Sequence, residues 1–147
     1  MSIIPRPEHP RPDFIRDTYH NLNGTWAFAF DDANRGEAEA WYKPGYDLGG
    51  SILVPFCYQS KQSGIGDETI HPYLWYRRSF TVPSEMQGRR VFLRFGAVDF
   101  EAKVYVNGQM AGTHRGGYTP FGFDITPLLR EGENDLCLRV EDQPDCS

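Results

Sequence analysis

Lys103-Val104-Tyr105-Val106-Asn107-Gly108 leads through residues 110–113 into His114-Arg115-Gly116-Gly117-Tyr118-Thr119-Pro120-Phe121, and then into Phe123-Asp124-Ile125-Thr126. The strand-like runs 102–106 and 110–113 flank Asn107-Gly108. Asn-Gly between two such runs is the strongest short-range hairpin signal, because both central residues of the tight turn must tolerate positive φ. Downstream, Gly116 and Gly117 supply backbone shapes that a side chain would forbid, and Pro120 stiffens the loop. The His114 ring is expected to order the Gly116-Gly117 turn, and Tyr118 and Phe121 to anchor the loop to a core. The motif is therefore one of fold rather than of catalysis.

Working outward, the period-two pattern recurs. Trp26, Phe28 and Phe30 share one face after the Asn23-Gly24 turn signal. Ser51-Ile52-Leu53-Val54 reads as a buried strand ended by Pro55. Further strands are predicted over 76–82, over 90–95 with Val91, Leu93 and Phe95 on one face, and over 136–140 with Leu136, Leu138 and Val140 inward. Residues 35–42 predict a short helix that Lys43-Pro44-Gly45 terminates. Thr126-Pro127-Leu128-Leu129 predicts a helical turn with Thr126 as N-cap and Pro127 in the first helical position. Pro5, Pro7, Pro10 and Pro12 predict an extended, irregular arm over residues 1–13. Residues 56–72 form a long connection of the kind that is functional or disordered. Many short strands, turns between them and almost no helix define an all-β chain, a β-sandwich whose strand pairing stays open at this stage.

The 147 residues suit one domain. A net charge of −5 with only short basic pairs, Arg77-Arg78 and Arg89-Arg90, argues against a nucleic-acid surface. In a strand such neighbours point to opposite faces. No run is long enough to span a membrane, and the N-terminus lacks the apolar stretch of a signal peptide. Cys57, Cys137 and Cys146 cannot all pair within the chain and have no metal-ligand spacing, so they read as free thiols in a reducing cytoplasm. His9, His20, His71 and His114 are scattered without zinc spacing, so neither a metal site nor a cofactor is expected. Glycoside hydrolysis needs two opposed carboxyl groups, but Asp31-Asp32, Asp67-Glu68 and Glu131/Glu133 read as solvated loop charges. Trp41, Trp75 and Tyr73 offer flat faces to a sugar ring, or else pack in the core, the reading that Trp75 favours beside Tyr76.

With Trp75-Tyr76-Arg77-Arg78-Ser79-Phe80 upstream, the 103–126 stretch resembles the N-terminal sugar-binding domain of family 2 glycoside hydrolases, the β-glucuronidases and β-galactosidases. The resemblance covers nearly the whole chain. It implies a jelly-roll, galactose-binding-like sandwich over 1–147, with 141–147 as a linker to a following domain. It also implies a parent enzyme that cleaves terminal β-linked sugars with retention, using two glutamates that lie outside this chain. The Val54-Pro55 exit resembles the family segment that offers polar side chains to the sugar. Cys57 stands there where several β-galactosidases carry asparagine, and Gln59 keeps an amide. A family aspartate that reaches the sugar after the last strand corresponds to Asp145, with Asp142 the alternative. The implied partners are a carbohydrate substrate, following domains of the same polypeptide and a second copy of the chain. Two other readings remain: a free-standing carbohydrate-binding module, and a docking scaffold without sugar affinity.

Overall fold

The computed structural model describes residues 3–7, 22–54, 60–67, 69, 71–84, 88–95, 101–115 and 121–141, with backbone alone for 3–7, Phe95 and Phe121. Among the described residues nine strands build two antiparallel sheets: β1 (Ile3–Pro7), β2 (Gly24–Phe30), β3 (Gly50–Val54), β4 (Tyr73–Thr81), β5 (Val91–Phe95), β6 (Glu101–Val106), β7 (Gln109–His114), β8 (Phe121–Asp124) and β9 (Glu133–Glu141). The order is β3-β2-β4-β9-β6-β7 in the six-stranded sheet and β1-β5-β8 in the three-stranded one. No described residue lies in an α-helix. The β-sandwich expected from the sequence is the fold observed.

Side chains of period two fill the space between the sheets. Trp26 and Phe28 from β2, Leu74, Tyr76 and Phe80 from β4, and Leu136, Leu138 and Val140 from β9 meet Val91 and Leu93 from β5. The Asn107-Gly108 turn has φ of 53° and 82°, as the hairpin required. Asn107 also donates from Nδ2 to Leu128 O (2.8 Å) and Asn134 Oδ1 (2.9 Å), and its Oδ1 accepts from Asp135 N (2.9 Å).

The outer face of the large sheet is covered too. Trp75, Tyr105 and Cys137 point away from the main core into a second cluster with Leu48, against which Trp41 and Tyr42 pack. Residues 31–49 are held there by polar side chains from the central strands. Trp75 Nε1 donates to Asp31 Oδ2 at 2.9 Å. The Arg77 guanidinium donates to Tyr46 O (2.6 Å) and Lys43 O (2.8 Å), and its Nε to Asp135 Oδ1 (3.0 Å). Arg139 donates to Asn34 Oδ1 at 2.7 Å, and Lys103 to Glu37 Oε2 at 2.6 Å. Arg78, on the opposite face from Arg77, donates to Leu22 O and Asn23 O.

Five local expectations are corrected. Residues 35–42 form a single turn, not a helix: Trp41 N bonds Gly36 O, Ala40 N bonds Glu37 O, and Ala40 adopts φ 58°. That pattern closes a helix C-terminus, and it brings Trp41 and Tyr42 down onto the sheet. Residues 51–54 lie in an edge strand that is buried on one face only, with Ile52 and Val54 inward and Leu53 exposed. Thr126 is the first residue of its 3₁₀ turn, and Ile125 the cap position. The Thr126 hydroxyl accepts from Val91 N (2.7 Å) and donates to Asp124 Oδ1 (2.7 Å), so it ties β5 to β8 instead. The arm is regular over 3–7, where it pairs with β5 as an edge strand, a place that tolerates proline. Finally, Asp31 is no solvated charge: it is buried and accepts from Arg35 N, Gly36 N and Trp75.

Candidate functional site

Strand register sorts the sequence-derived site residues between the two ends of the large sheet. At one end Glu141 pairs with both Tyr73 and Glu101, Phe30 faces Leu74, and His114 faces Ala102. β8 begins at this rim, with Phe121 opposite Phe95. At the other end Val54 faces Gly24, Thr81 faces Glu133, and the Asn107-Gly108 turn closes the hairpin. The segment carrying Cys57 and Gln59 therefore starts from one rim, and the segment carrying Asp142 and Asp145 from the other. Those four residues, and Gly116, Gly117, Tyr118 and Pro120, lie outside the described residues. His114 is half-buried at the end of β7, and Phe121 opens β8. The structure thus brings the two flanks of the double-glycine motif to the rim from which β9 exits.

The described side chains at that rim form a polar cluster. His71, just before β4, has Nδ1 2.7 Å from Asp32 Oδ1 and Nε2 2.9 Å from Asp67 Oδ2. The Thr69 hydroxyl stands 2.8 Å from Nε2 and gives its own proton to Asp67 Oδ1. The ring stacks on Phe30 at 3.7 Å between centroids. Burial of the ring would lower its pKa, but the bonds to Asp32 and Asp67 outweigh that and raise it above 6.5. The Asp67 carboxyl is held below its ordinary value chiefly by the Thr69 hydroxyl and amide. Beside this cluster the Arg139 guanidinium lies 4.9 Å over the Tyr73 ring, and Arg115 pairs with Glu101 at 3.0 Å.

This arrangement can bind and orient, but it supplies no nucleophile. A hydroxyl–imidazole–carboxylate line exists in Thr69, His71 and Asp32, yet Asp67 takes both the hydroxyl proton and the His71 Nε2 position that a general base must keep open. Asp124 is engaged by Arg90 and Thr126, Glu37 by Lys103 and Arg139, and Asp135 by Arg77. Burial raises the Asp135 carboxyl pKa, with Arg77 opposing. The Cys137 thiol is pushed up to about 12 by burial, which keeps it protonated and unreactive. No group of three or more His, Cys, Asp or Glu among the described residues is placed to hold a metal ion. No helix of the described residues is long and apolar enough to cross a membrane.

Of the aromatic candidates, Trp75 is fully buried and offers no face. Trp41 stacks on Tyr46 at 5.3 Å, leaving that pair partly exposed on the outer face. At the far rim a pocket of about 360 Å³ is lined by Val82, Val91, Leu129 and the three arginines Arg89, Arg90 and Arg130. Arg90 is already paired with Asp124, and Glu131 adds a second carboxylate to the pocket wall.

Sequence reasoning missed His71, Arg77 and Arg139 as structural centres. The spacing Asp67-x-Thr69-x-His71 was the available signal for the first. For the other two it was the charge at alternate positions of otherwise apolar strands.

Residues 19–146 match the family described as "Glycosyl hydrolases family 2, sugar binding domain". The chain is similar to a β-galactosidase of Thermoanaerobacter pseudethanolicus, with 34% identity over 82% of this chain and 16% of that protein. It is similar to a β-glucuronidase of Paenibacillus borealis, with 32% identity over 87% of this chain and 22% of that protein. Among solved structures it superposes on a Lactobacillus rhamnosus β-glucuronidase with a TM-score of 0.70 and 36% identity, covering 83% of this chain and 21% of the other. A Bifidobacterium dentium β-glucuronidase complexed with coumarin-3-O-glucuronide gives a TM-score of 0.69 and 34% identity, covering 95% and 20%. The chain thus spans about a fifth of the length of these relatives.

Proposed function

Because the chain belongs to glycosyl hydrolase family 2 and carries that family's sugar-binding domain, we propose that it serves as the non-catalytic N-terminal wall of a retaining β-glycosidase pocket. The parent enzyme would hydrolyse terminal β-linked sugars, a β-glucuronide or β-galactoside, with both catalytic glutamates on a following barrel domain. The single observation that carries this reading is the match over 19–146 to the family's sugar-binding domain, in a chain that spans about a fifth of the relatives it resembles. Three described carboxylates are in keeping with it, since those of Asp31, Asp124 and Asp135 are each bound to partners within the sandwich. In this reading Gln59 is the polar contact of the segment after β3, where Cys57 replaces the family amide, and Asp145, or Asp142 in its place, is the contact of the segment after β9.

Two measurements on the 147-residue chain test it. Incubation with nitrophenyl β-glucuronide and β-galactoside should release no nitrophenol above buffer, and turnover would sink the non-catalytic assignment. NMR titration with glucuronate, galactose and mannose should give no saturable shifts at millimolar sugar, because one wall of a pocket makes too few contacts. Saturable shifts would replace the wall with a free-standing carbohydrate-binding module.

A further inference from the structure

We propose that His71 is a proton-operated clasp: protonated, its ring fastens the 60–71 connection to the end of β2, and deprotonated, it lets that connection open. The geometry is specific. Nδ1 faces the Asp32 carboxylate at 2.7 Å, and Nε2 faces the Asp67 carboxylate at 2.9 Å. Thr69 Oγ1, 2.8 Å from Nε2, has its proton on Asp67 and presents a lone pair to the ring. All three neighbours are acceptors, and a neutral imidazole carries only one N–H. Only the imidazolium can donate to both carboxylates at once. Phe30 covers one face of the ring and the histidine side chain is 13% exposed, whereas Asp32 is open to solvent, so the charge on the ring and not exclusion of water makes the difference.

The end of β2 and the start of β4 are already paired here, with Asp31 N bonded to Tyr73 O at 2.9 Å, so what the ring adds is the hold on Asp67 and Thr69. Asp32 follows β2, whereas Asp67, Thr69 and His71 end the connection into β4. Asp32 and Asp67 are the charged groups whose bonds and charges act on the ring. The first half of the connection has separate anchors: Ser63 is buried, and Ile65 packs against the core. Opening is therefore confined to the half that ends at the rim.

The sign follows from the raised histidine pKa. The clasp contributes fully below pH ~6.5 and is lost as pH rises through the higher value of the closed loop. Hydrogen exchange on the 147-residue chain between about pH 6 and 9, corrected for the intrinsic rate, reads it directly. The Thr69 amide, bonded to Asp67 Oδ1 at 2.9 Å, should lose protection about tenfold for each unit by which the closed-loop pKa exceeds the open-loop one. Amides of β9 should keep theirs. In His71→Gln the loss with pH should vanish, and in Asp67→Asn the ring should titrate lower. A His71 ring that titrates at or below 6.5 by NMR, or protection that stays level through its titration, would overturn the clasp. Asp67→Asn keeps the test open should His71→Gln fail to fold.

Discussion

Gly36→Ala tests how the outer face of the large sheet is closed. A Cβ at position 36 would come closer than 3.0 Å to Cε2, Nε1 and Cζ2 of Trp75. That ring is fully buried, and its Nε1 is bound to Asp31 Oδ2, the same oxygen that accepts from Gly36 N at 2.8 Å. Ring and loop therefore share one anchor, and neither can yield without breaking it. Overpacking costs roughly 1–3 kcal/mol, and losing the buried indole bond adds about 1 kcal/mol. Alanine returns about 0.4–1 kcal/mol by restricting the unfolded chain. The net expectation is a loss of about 1–3.5 kcal/mol, or about 3–13 °C in Tm for a chain of this size. Urea unfolding followed by far-UV circular dichroism measures it without relying on tryptophan emission. Gly45→Ala is the control, because its φ of 91° strains a side chain while nothing stands within 4 Å. Trp75→Phe removes the colliding part of the ring, so the double variant should be more stable than the sum of the two single losses by about 1 kcal/mol. A Gly36→Ala chain within about 0.5 kcal/mol of the parent, or strict additivity with Trp75→Phe, would refute the shared-anchor reasoning.

Asn107→Ala should cost about 2–4 kcal/mol, since it removes three side-chain hydrogen bonds and leaves a Cβ at φ 53° without the tolerance of asparagine. Asn107→Gly should recover the backbone part alone, and denaturant midpoints for the pair separate the two. At Asp124, burial would raise the pKa, but bonds from Thr126 and Arg90 outweigh it and hold the carboxyl below 3.8. Its contribution is therefore present above pH ~3.8 and lost as pH falls through the lower folded value. Asp124→Asn should flatten that part of the acid limb in a plot of stability against pH, and an unchanged limb would remove Asp124 from the account.

Much of the sandwich is legible in the chain because burial between two sheets is a period-two property. Trp26 and Phe28, and Leu136, Leu138 and Val140, announce their faces without reference to anything distant. The Asn107-Gly108 turn is legible for a similar reason, since its positive φ values are a demand on two residues only. The helix expected over 35–42 failed because a single turn closed by Ala40 puts Trp41 and Tyr42 on the sheet, a benefit that depends on strands far along the chain.

What the sequence by itself determined, then, is the hairpin and the strands other than β1 and β8. These rest on alternation and on local backbone demands. The tertiary structure decided the strand order, which places the Val54 exit and the Glu141 exit at opposite rims. It also decided that Arg77, Arg139 and Asp31 are buried and that His71 sits between two carboxylates. A charge set in an otherwise apolar strand is visible in the sequence, but nothing local says that it is buried or names its partner. Its burial is tolerable only because a partner dozens of residues away, Asp135 for Arg77 or Trp75 for Asp31, arrives at hydrogen-bonding distance once the chain has folded.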